Sequence, residues 1–146
     1  MLYTFDNHSG ALSRSVRQLL LSVALLSFVE IAQAKLSVQV DKAKQIGEKA
    51  VVKLTLKNTF PEKIESARAT VFLLNDDDKV VGQSAQWVIG GTKDKPALAP
   101  KASTTYNFVI KTDKPFTKTK LIFNRIILEG GKQVDPTKNV EIEDKL

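Results

Sequence analysis

The sequence contains no cysteine, and it has only one histidine and one methionine among its 146 residues. These two residues are His8 and Met1, so both lie near the amino terminus. Without cysteine the chain has no disulfide, no thiol nucleophile and no thiolate metal ligand. It also lacks the cysteine to which a bacterial lipoprotein attaches its lipid. Its folded part must depend on a packed core, for which about 110 residues are enough.

Long apolar runs are scarce as well, and the clearest one lies close to the amino terminus. Two arginines precede an apolar segment at 19–29, and the small-residue pattern Ala32-Gln33-Ala34 follows it. This order is typical of a secretory signal peptide, and the segment is shorter than the roughly 20 residues that span a bilayer. We therefore predict a signal peptide at 1–34, cleavage near Ala34 and a single domain at 35–146. A buried amphipathic helix is the alternative interpretation.

The stretch before the apolar run is unusually long for a signal peptide and contains Asp6 and His8. A true start near Val16, encoded by GTG, would give a compact leader. After cleavage the chain would contain no histidine, methionine or cysteine. This excludes Ser-His and Cys-His nucleophiles and zinc or copper sites built on those ligands in the mature protein. We expect an exported protein that is soluble in the periplasm or outside the cell.

The remaining chain shows apolar and polar residues in alternation, which is typical of β-strands with one buried face. The strand-like segments are Lys35–Asp41, Ala50–Asn58, Ile64–Asn75, Val80–Ile89, Ser103–Lys111, Leu121–Glu129 and a weak one around Val140 and Ile142. Turn-forming residues separate them. The pattern predicts an all-β, antiparallel, immunoglobulin-like β-sandwich of about seven strands, preceded by a signal-peptide helix and without a helix of its own.

Local irregularities give four further expectations. The apolar phase changes within 121–129, which predicts a β-bulge near Asn124-Arg125. The segment Lys42–Glu48 is predicted to be a turn or an irregular edge, and Gly130-Gly131 a hairpin turn. The charged end, Glu141–Leu146, is predicted to fray.

Several segments follow one another in a recurring order: a strand ending in asparagine, a strand ending in an aliphatic-acidic turn, a Val-Val-Gly, a Leu-x-Pro and a strand with inward aromatics. Here these elements are Leu54–Asn58, Val71–Asp76, Val80–Gly82, Leu98–Pro100 and Tyr106–Phe108. In this order the chain resembles FxLYD-type domains and, more loosely, the immunoglobulin- or fibronectin-like sandwiches of exported bacterial proteins. It departs from the FxLYD pattern at Leu74-Asn75, where the family has Tyr-Asp, and at Asp76–Lys79, where the family has Asp-x-Gly. The resemblance implies a binding or structural module and transfers no active site.

Two short features are candidate sites. Asp76 and Asp78 offer oxygen ligands of the kind that Ca²⁺ binds, but the glycine and distal glutamate of an EF-hand are missing. A solvated hairpin turn is the favoured interpretation. Trp87 is a candidate platform for stacking a ligand. Because it shares an alternating face with aliphatic residues such as Ile89, a core or sheet-face aromatic that packs between the sheets is the favoured interpretation.

The basic residues, which give a formal net charge of +6, cluster in two loops. Lys93 and Lys95 lie in one and Lys114 and Lys118 in the other, and with the tryptophan they form the candidate binding surface. Proteins that bind single-stranded nucleic acid interleave aromatic residues with such charges, and only Phe116 lies among these lysines. No groove-reading helix is predicted. We therefore expect no nucleic acid partner and attribute the charge to solubility, or to weak attraction to anionic lipid headgroups or cell-wall polymers.

Together these observations predict an exported, non-enzymatic binding or structural module of the bacterial cell envelope. It would act through protein-protein contacts at sheet edges and at the loops 90–100 and 112–120, with another envelope protein as its partner. No cofactor and no stable membrane insertion after leader removal are expected. The alternative is a periplasmic carrier of an anionic small molecule or polysaccharide. A hydrolase with paired carboxylates is a third hypothesis, although the acidic residues lie in turns and termini rather than on apolar strand faces.

Overall fold

A computed structural model of the protein describes residues 33–145, which hold nine β-strands and two single helical turns. Segment Ala34–Leu146 forms one compact unit. The predictions made for residues 1–32 lie outside the described residues. The strands are β1 (Leu36–Val40), β2 (Lys44–Ile46), β3 (Lys49–Asn58), β4 (Ile64–Leu74), β5 (Val80–Ile89), β6 (Ser103–Lys111), β7 (Lys118–Leu128), β8 (Lys132–Val134) and β9 (Val140–Asp144). The helical turns are a 3₁₀ turn at Glu129–Gly131 and the one-turn helix α1 (Pro136–Asn139).

The first sheet is built around β3, whose alternating sequence buries one face and exposes the other. Strand β6 pairs with one edge of β3 over residues 49–57. Strands β1 and β2 share the other edge, opposite residues 54–58 and 49–51. These pairings are antiparallel. Strand β9 then adds to β1 in parallel, with Leu36 opposite Val140.

The second sheet has the order β5-β4-β7-β8 and is antiparallel throughout. Strand β4 lies inside it, with one face buried in the core. The other face is half-buried or exposed, although it carries Phe72 and Leu74. Strand β5 forms one edge and the three-residue β8 forms the other. The register between β4 and β5 shifts twice, which leaves Val81 and Val88 as the extra residues of two bulges.

The core lies between the two sheets and is made of aliphatic and aromatic side chains from both. Leu54 and Leu56 on β3 and Phe108 on β6 are inaccessible to solvent, as is Ile126 on β7. Burial of a side chain of this size contributes roughly 1.5–3 kcal/mol. Because the chain has no cysteine, this core carries the role that disulfides have in many small exported domains.

A buried polar side chain, Asn58, joins two loops to the end of β3. Its Nδ2 donates to the carbonyl oxygens of Glu62 at 2.9 Å and Leu98 at 3.0 Å, and its Oδ1 accepts from the backbone N–H of Phe60 at 2.8 Å. Leu98 also exchanges two backbone hydrogen bonds of 2.9 Å with Ile64. The segment that precedes β6 is therefore fixed to both sheets at this end of the sandwich.

The prediction of an all-β sandwich is confirmed, and the seven predicted segments correspond to β1, β3, β4, β5, β6, β7 and β9. The predicted bulge in β7 is confirmed as well. Arg68 lies opposite Arg125 and Ala69 opposite Phe123, so Asn124 is the extra residue. It returns the apolar residues on its two sides to the same buried face.

Four expectations are wrong in part. Nine strands replace about seven, because the short edge strand β2 forms within 42–48, where a turn or an irregular edge was expected, and β8 follows the Gly130-Gly131 turn. The sandwich is not wholly antiparallel, and the segment 140–144 does not fray, because its backbone is paired with β1. A helical turn also exists at 136–139, where the Asp135 side chain accepts a hydrogen bond from the backbone N–H of Thr137.

Candidate functional site

The free edge of β5 is the most distinctive edge of the second sheet. The strand is ten residues long and contains no charged residue. Among the described residues it pairs only with β4, so its other side carries no strand partner. The bulges at Val81 and Val88 enclose a regular central segment at 82–87. The carbonyl oxygens of Val81 and Trp87, at the two ends of this segment, accept hydrogen bonds from the side chains of Thr112 and Lys95. Between them, an edge of this composition presents unpaired backbone donors and acceptors to another chain.

Trp87 lies at the end of this central segment and on the outer face of the sheet. It is opposite Arg68, whose guanidinium carbon lies 5.9 Å from the ring centroid, a cation–π contact. Trp87 is therefore an aromatic residue of a sheet face, as one part of the interpretation had it, but it does not pack between the sheets. The bulge at Val88 changes the phase of the strand, so that Ile89 enters the core while Trp87 stays half-buried outside it.

Gly91 explains why the ring can lie flat against the following loop. A Cβ atom at this position would lie 2.3 Å from the Cδ2 atom of Trp87. The backbone of Gly91 also has a positive φ of 77°, a conformation that glycine adopts without strain. The Gly-Gly sequence after β5 thus positions the tryptophan as well as turning the chain.

Lys95 connects the same loop to the open side of the sandwich. Its Nζ donates to the carbonyl oxygen of Trp87 and lies 4.5 Å from the ring centroid of Tyr106 on β6. A depression of about 350 Å³ lies beside it, lined in part by Val88 and Leu98. Lys93 is exposed in the same loop. The structure therefore brings Trp87 and Lys95 into contact, with Lys93 nearby in sequence.

Lys114 and Lys118 belong to the opposite end of the second sheet. Lys118 begins β7, and its Nζ lies 2.7 Å from Oδ1 of Asp78 in the turn before β5. This hydrogen bond and the negative charge of Asp78 raise the pKa of Lys118 above its ordinary value. A strand of ten residues separates this turn from the loop that carries Lys95, a distance of about 30 Å. The predicted binding surface is thus divided between two ends of the domain.

The Asp76–Lys79 segment is a hairpin turn, as the favoured interpretation proposed. The Asn75 side chain accepts hydrogen bonds of 3.0 Å from the backbone N–H groups of Asp77 and Lys79, and Asp78 has a positive φ of 59°. Across residues 33–145, no group of three or more histidine, cysteine, aspartate or glutamate side chains is placed to hold a metal ion.

The absence of charged residues from β5 is visible in the sequence of Val80–Ile89, but it was not used to predict a binding edge. The outward lysines of β3 were not included in the predicted binding surface. The alternation in Lys49–Lys57 places Lys49, Lys53 and Lys57 on one face, so this signal was present.

The fold defined by these pairings is a two-sheet β-sandwich, and comparisons with known proteins agree at that level. The sequence matches no protein-family model and no curated protein. The structure of IrmA from Escherichia coli is similar, with a TM-score of 0.55 and 14% sequence identity over 78% of this chain and 95% of that chain. The structure of ApaA from Bordetella pertussis gives a TM-score of 0.54 and 14% identity over 72% of this chain and 89% of the other. At this identity the similarity concerns the fold alone.

The part of the chain from residue 33 to residue 145 contains no helix that is both long and apolar enough to cross a membrane.

Proposed function

We propose that the protein is an exported, non-enzymatic binding module of the cell envelope that accepts a strand of another envelope protein at β5. The observation that carries the proposal is the free edge of this ten-residue strand, which contains no charged residue of its own. Strand addition at such an edge draws affinity from backbone hydrogen bonds and specificity from alternate side chains. Export rests on the predicted leader at 1–34.

The other edges differ from β5 in ways that discourage pairing. Strand β8 has three residues and begins with Lys132, and β9 carries three acidic residues in five. Strand β6 is long, but it ends in Lys111 and borders the outward lysines of β3. Natural proteins use short strands and charges to keep sheet edges from pairing. By this criterion β5 is the edge left open.

Trp87 supplies the side-chain part of the proposed recognition. It lies on the outer face at one end of the regular segment 82–87, next to the position where an added strand would run. Its contacts with Arg68 and Gly91 hold the ring in place before any partner arrives. A preformed aromatic surface lowers the entropic cost of binding.

A finer assignment of the fold forms part of the proposal: an immunoglobulin-like sandwich of the FxLYD type. Two features support it. The chain places β1, β3 and β6 in one sheet and β4, β5, β7 and β8 in the other, an alternation that resembles immunoglobulin-like connectivity. The hydrogen bond from Asn58 to Leu98 also joins two of the sequence elements on which the resemblance rests.

Site-specific photo-crosslinking in cells that produce the protein tests this proposal. A photoreactive amino acid replaces Ala85, which is exposed on β5, or Thr105, which is exposed on β6 and serves as the control. We expect an adduct with an envelope protein at position 85 and none at 105. Gln83→Lys, which places a charge on the edge, should abolish it. An adduct at both positions, or one that survives Gln83→Lys, would contradict strand addition at β5.

The alternative function, a carrier of an anionic small molecule or polysaccharide, is supported by the depression beside Lys95. The ammonium group there is already bound to the Trp87 carbonyl oxygen and lies over Tyr106, which makes it a weaker anion site than a free lysine. A salt-sensitive rise in melting temperature with anionic sugars, lost in Lys95→Gln, would favour the carrier over the strand-binding module.

A further inference from the structure

The outer face of the first sheet carries a group of lysines that the proposed strand-binding edge does not involve. Strand β3 directs alternate residues outward, and its neighbours extend the same face because Lys44 lies opposite Val51 and Lys111 lies opposite Lys49. All of the lysines in the group are exposed. We call this surface the basic face; its lysines are Lys44, Lys49, Lys53, Lys57 and Lys111.

Few acids lie near the lysines of the basic face: Glu48 and Asp113 line one depression together with Lys111, at one end of the face. Strands β1, β2, β3 and β6 contain no aspartate or glutamate. The ion pairs found within residues 33–145 use Lys35, Lys63, Lys118 and Lys132, none of which belongs to the basic face. Like charges that lie directly opposite each other on neighbouring strands destabilise a sheet. Lys49 and Lys111 form such a pair. An external anion would relieve this repulsion.

Exposed aliphatic side chains lie among these lysines. Ile46 is 65% exposed and Val109 is 54% exposed, and Val109 lies opposite the half-buried Val51 on β3. Water makes no favourable contact with these exposed aliphatic side chains. A partner that offers both negative charge and an apolar interior would contact both kinds of residue.

We propose that the basic face binds the surface of a bilayer that contains anionic phospholipids. The lysines of β3 recur every fourth residue, about 13 Å apart, so the sheet presents them along a line to lipid phosphates. Ile46 and Val109 contact the boundary between headgroups and acyl chains. A soluble polyanion would use the lysines equally well but would gain little from the aliphatic pair, and this difference favours the bilayer.

The acidic strand β9 sets the orientation on the membrane. Glu143 lies on the same outer side as the basic face but at the far edge of the sheet, because it is paired with Gln39 of β1. Repulsion from anionic lipid lifts this edge and brings the β3 and β6 side closest to the bilayer. The edge of β5 belongs to the other sheet and remains accessible.

Vesicle co-sedimentation tests the proposal with residues 35–146, which hold the core described above and belong to the compact unit Ala34–Leu146. The vesicles contain phosphatidylglycerol and phosphatidylcholine in equal parts, or phosphatidylcholine alone. Each lysine near an anionic surface contributes a factor of about five in partitioning. The variant Lys49→Gln/Lys53→Gln/Lys57→Gln should therefore lose roughly 100-fold in partitioning onto the anionic vesicles and show little change on the neutral ones.

The matched control removes the same charge elsewhere and is Lys93→Gln/Lys120→Gln/Lys138→Gln, at exposed positions outside the basic face. It should lose no more than a few-fold. Equal losses in the two triple variants would mean that net charge alone drives binding and would overturn the proposal. Melting temperatures of all variants verify that each one is folded.

Two further variants test the parts of the proposal that misfolding cannot imitate. Glu143→Lys should increase partitioning roughly 25-fold, because it replaces a repelled charge with an attracted one, a change of two charges. Ile46→Ser/Val109→Ser should reduce binding to anionic vesicles while leaving binding to dextran sulfate, a soluble polyanion, unchanged. If the serine variant binds vesicles as the wild type does, the face is a general polyanion site and the bilayer proposal is wrong.

Discussion

Replacing Asn58 with aspartate should destabilise the sandwich strongly at neutral pH, although the two side chains have almost the same shape. The carboxylate can still accept a hydrogen bond from the Phe60 N–H group. It cannot donate, so the carbonyl oxygen of Glu62 loses its partner and that of Leu98 keeps only the N–H group of Ile64. Both oxygens then face a negative oxygen, and the carboxylate is itself buried. Each buried polar group left without a partner costs about 1–3 kcal/mol. We therefore expect a loss of at least ~3 kcal/mol at pH 7.

The same substitution should make stability depend on pH with a defined sign. Burial and the two facing carbonyl oxygens raise the pKa of the new carboxyl group above the value of about 3.9 that it has in the unfolded chain. The folded state then holds a proton that the unfolded state has lost, so stability falls as pH rises from about 4 through the raised pKa. Near pH 4 the neutral acid can donate to one of the carbonyl oxygens, and the deficit relative to the wild type should be smallest.

Urea unfolding of residues 35–146, followed by the fluorescence of the single tryptophan, measures both effects. With a slope of about 1–3 kcal/mol per molar urea, the midpoint of Asn58→Asp should fall by roughly 1–3 M at pH 7. Asn107→Asp, on the exposed side of β6, is the matched control and should change stability by less than about 0.5 kcal/mol. If Asn58→Asp is as stable as this control at pH 7, or if its deficit does not grow with pH, the role assigned to Asn58 is refuted.

Three further substitutions test single features of the fold. Gly91→Ala should displace the Trp87 ring and shift its fluorescence, because the added Cβ would lie 2.3 Å from the Cδ2 atom. Lys101→Gly should raise stability by about 0.5–1 kcal/mol, measured by thermal unfolding, because Lys101 has a positive φ of 62° that glycine adopts without strain. The hydroxyl and backbone N–H of Thr137 donate to Asp135 and lower its pKa, so the capped turn should be lost as pH falls through that lowered pKa. The NMR shift of the Thr137 amide should report this titration, and Asp135→Asn should remove it.

Much of the strand content could be predicted from the sequence because it depends on local alternation. The residues of β3 alternate so regularly that both its length and its buried face follow from the sequence. The bulge at Asn124 was also predictable, because an extra residue is the simplest way to return Phe123 and Ile126 to one face. In both cases the signal lies within one strand.

Features that depend on distant residues could not be predicted in the same way. The parallel pairing of β9 with β1 joins residues about 100 positions apart, such as Leu36 and Val140, and nothing local marks it. The outward position of Trp87 depends on a bulge at Val88 that has no clear sequence signature. The contact between Lys95 and the Trp87 carbonyl oxygen requires the loop to fold back on β5. The candidate site combines such features, so only its individual residues could be proposed from sequence.

The pairing of β9 with β1 also determines how the domain would respond to mechanical force. The two strands run in the same direction, with Leu36 opposite Val140 and Val40 opposite Asp144. A pull that separates the chain before Leu36 from the chain after Asp144 acts along this ladder and in opposite senses on its two strands. All of its hydrogen bonds then carry the load at once in shear, whereas in a hairpin opened from one end they would break one by one. A domain tethered at both ends would therefore yield abruptly and at high force.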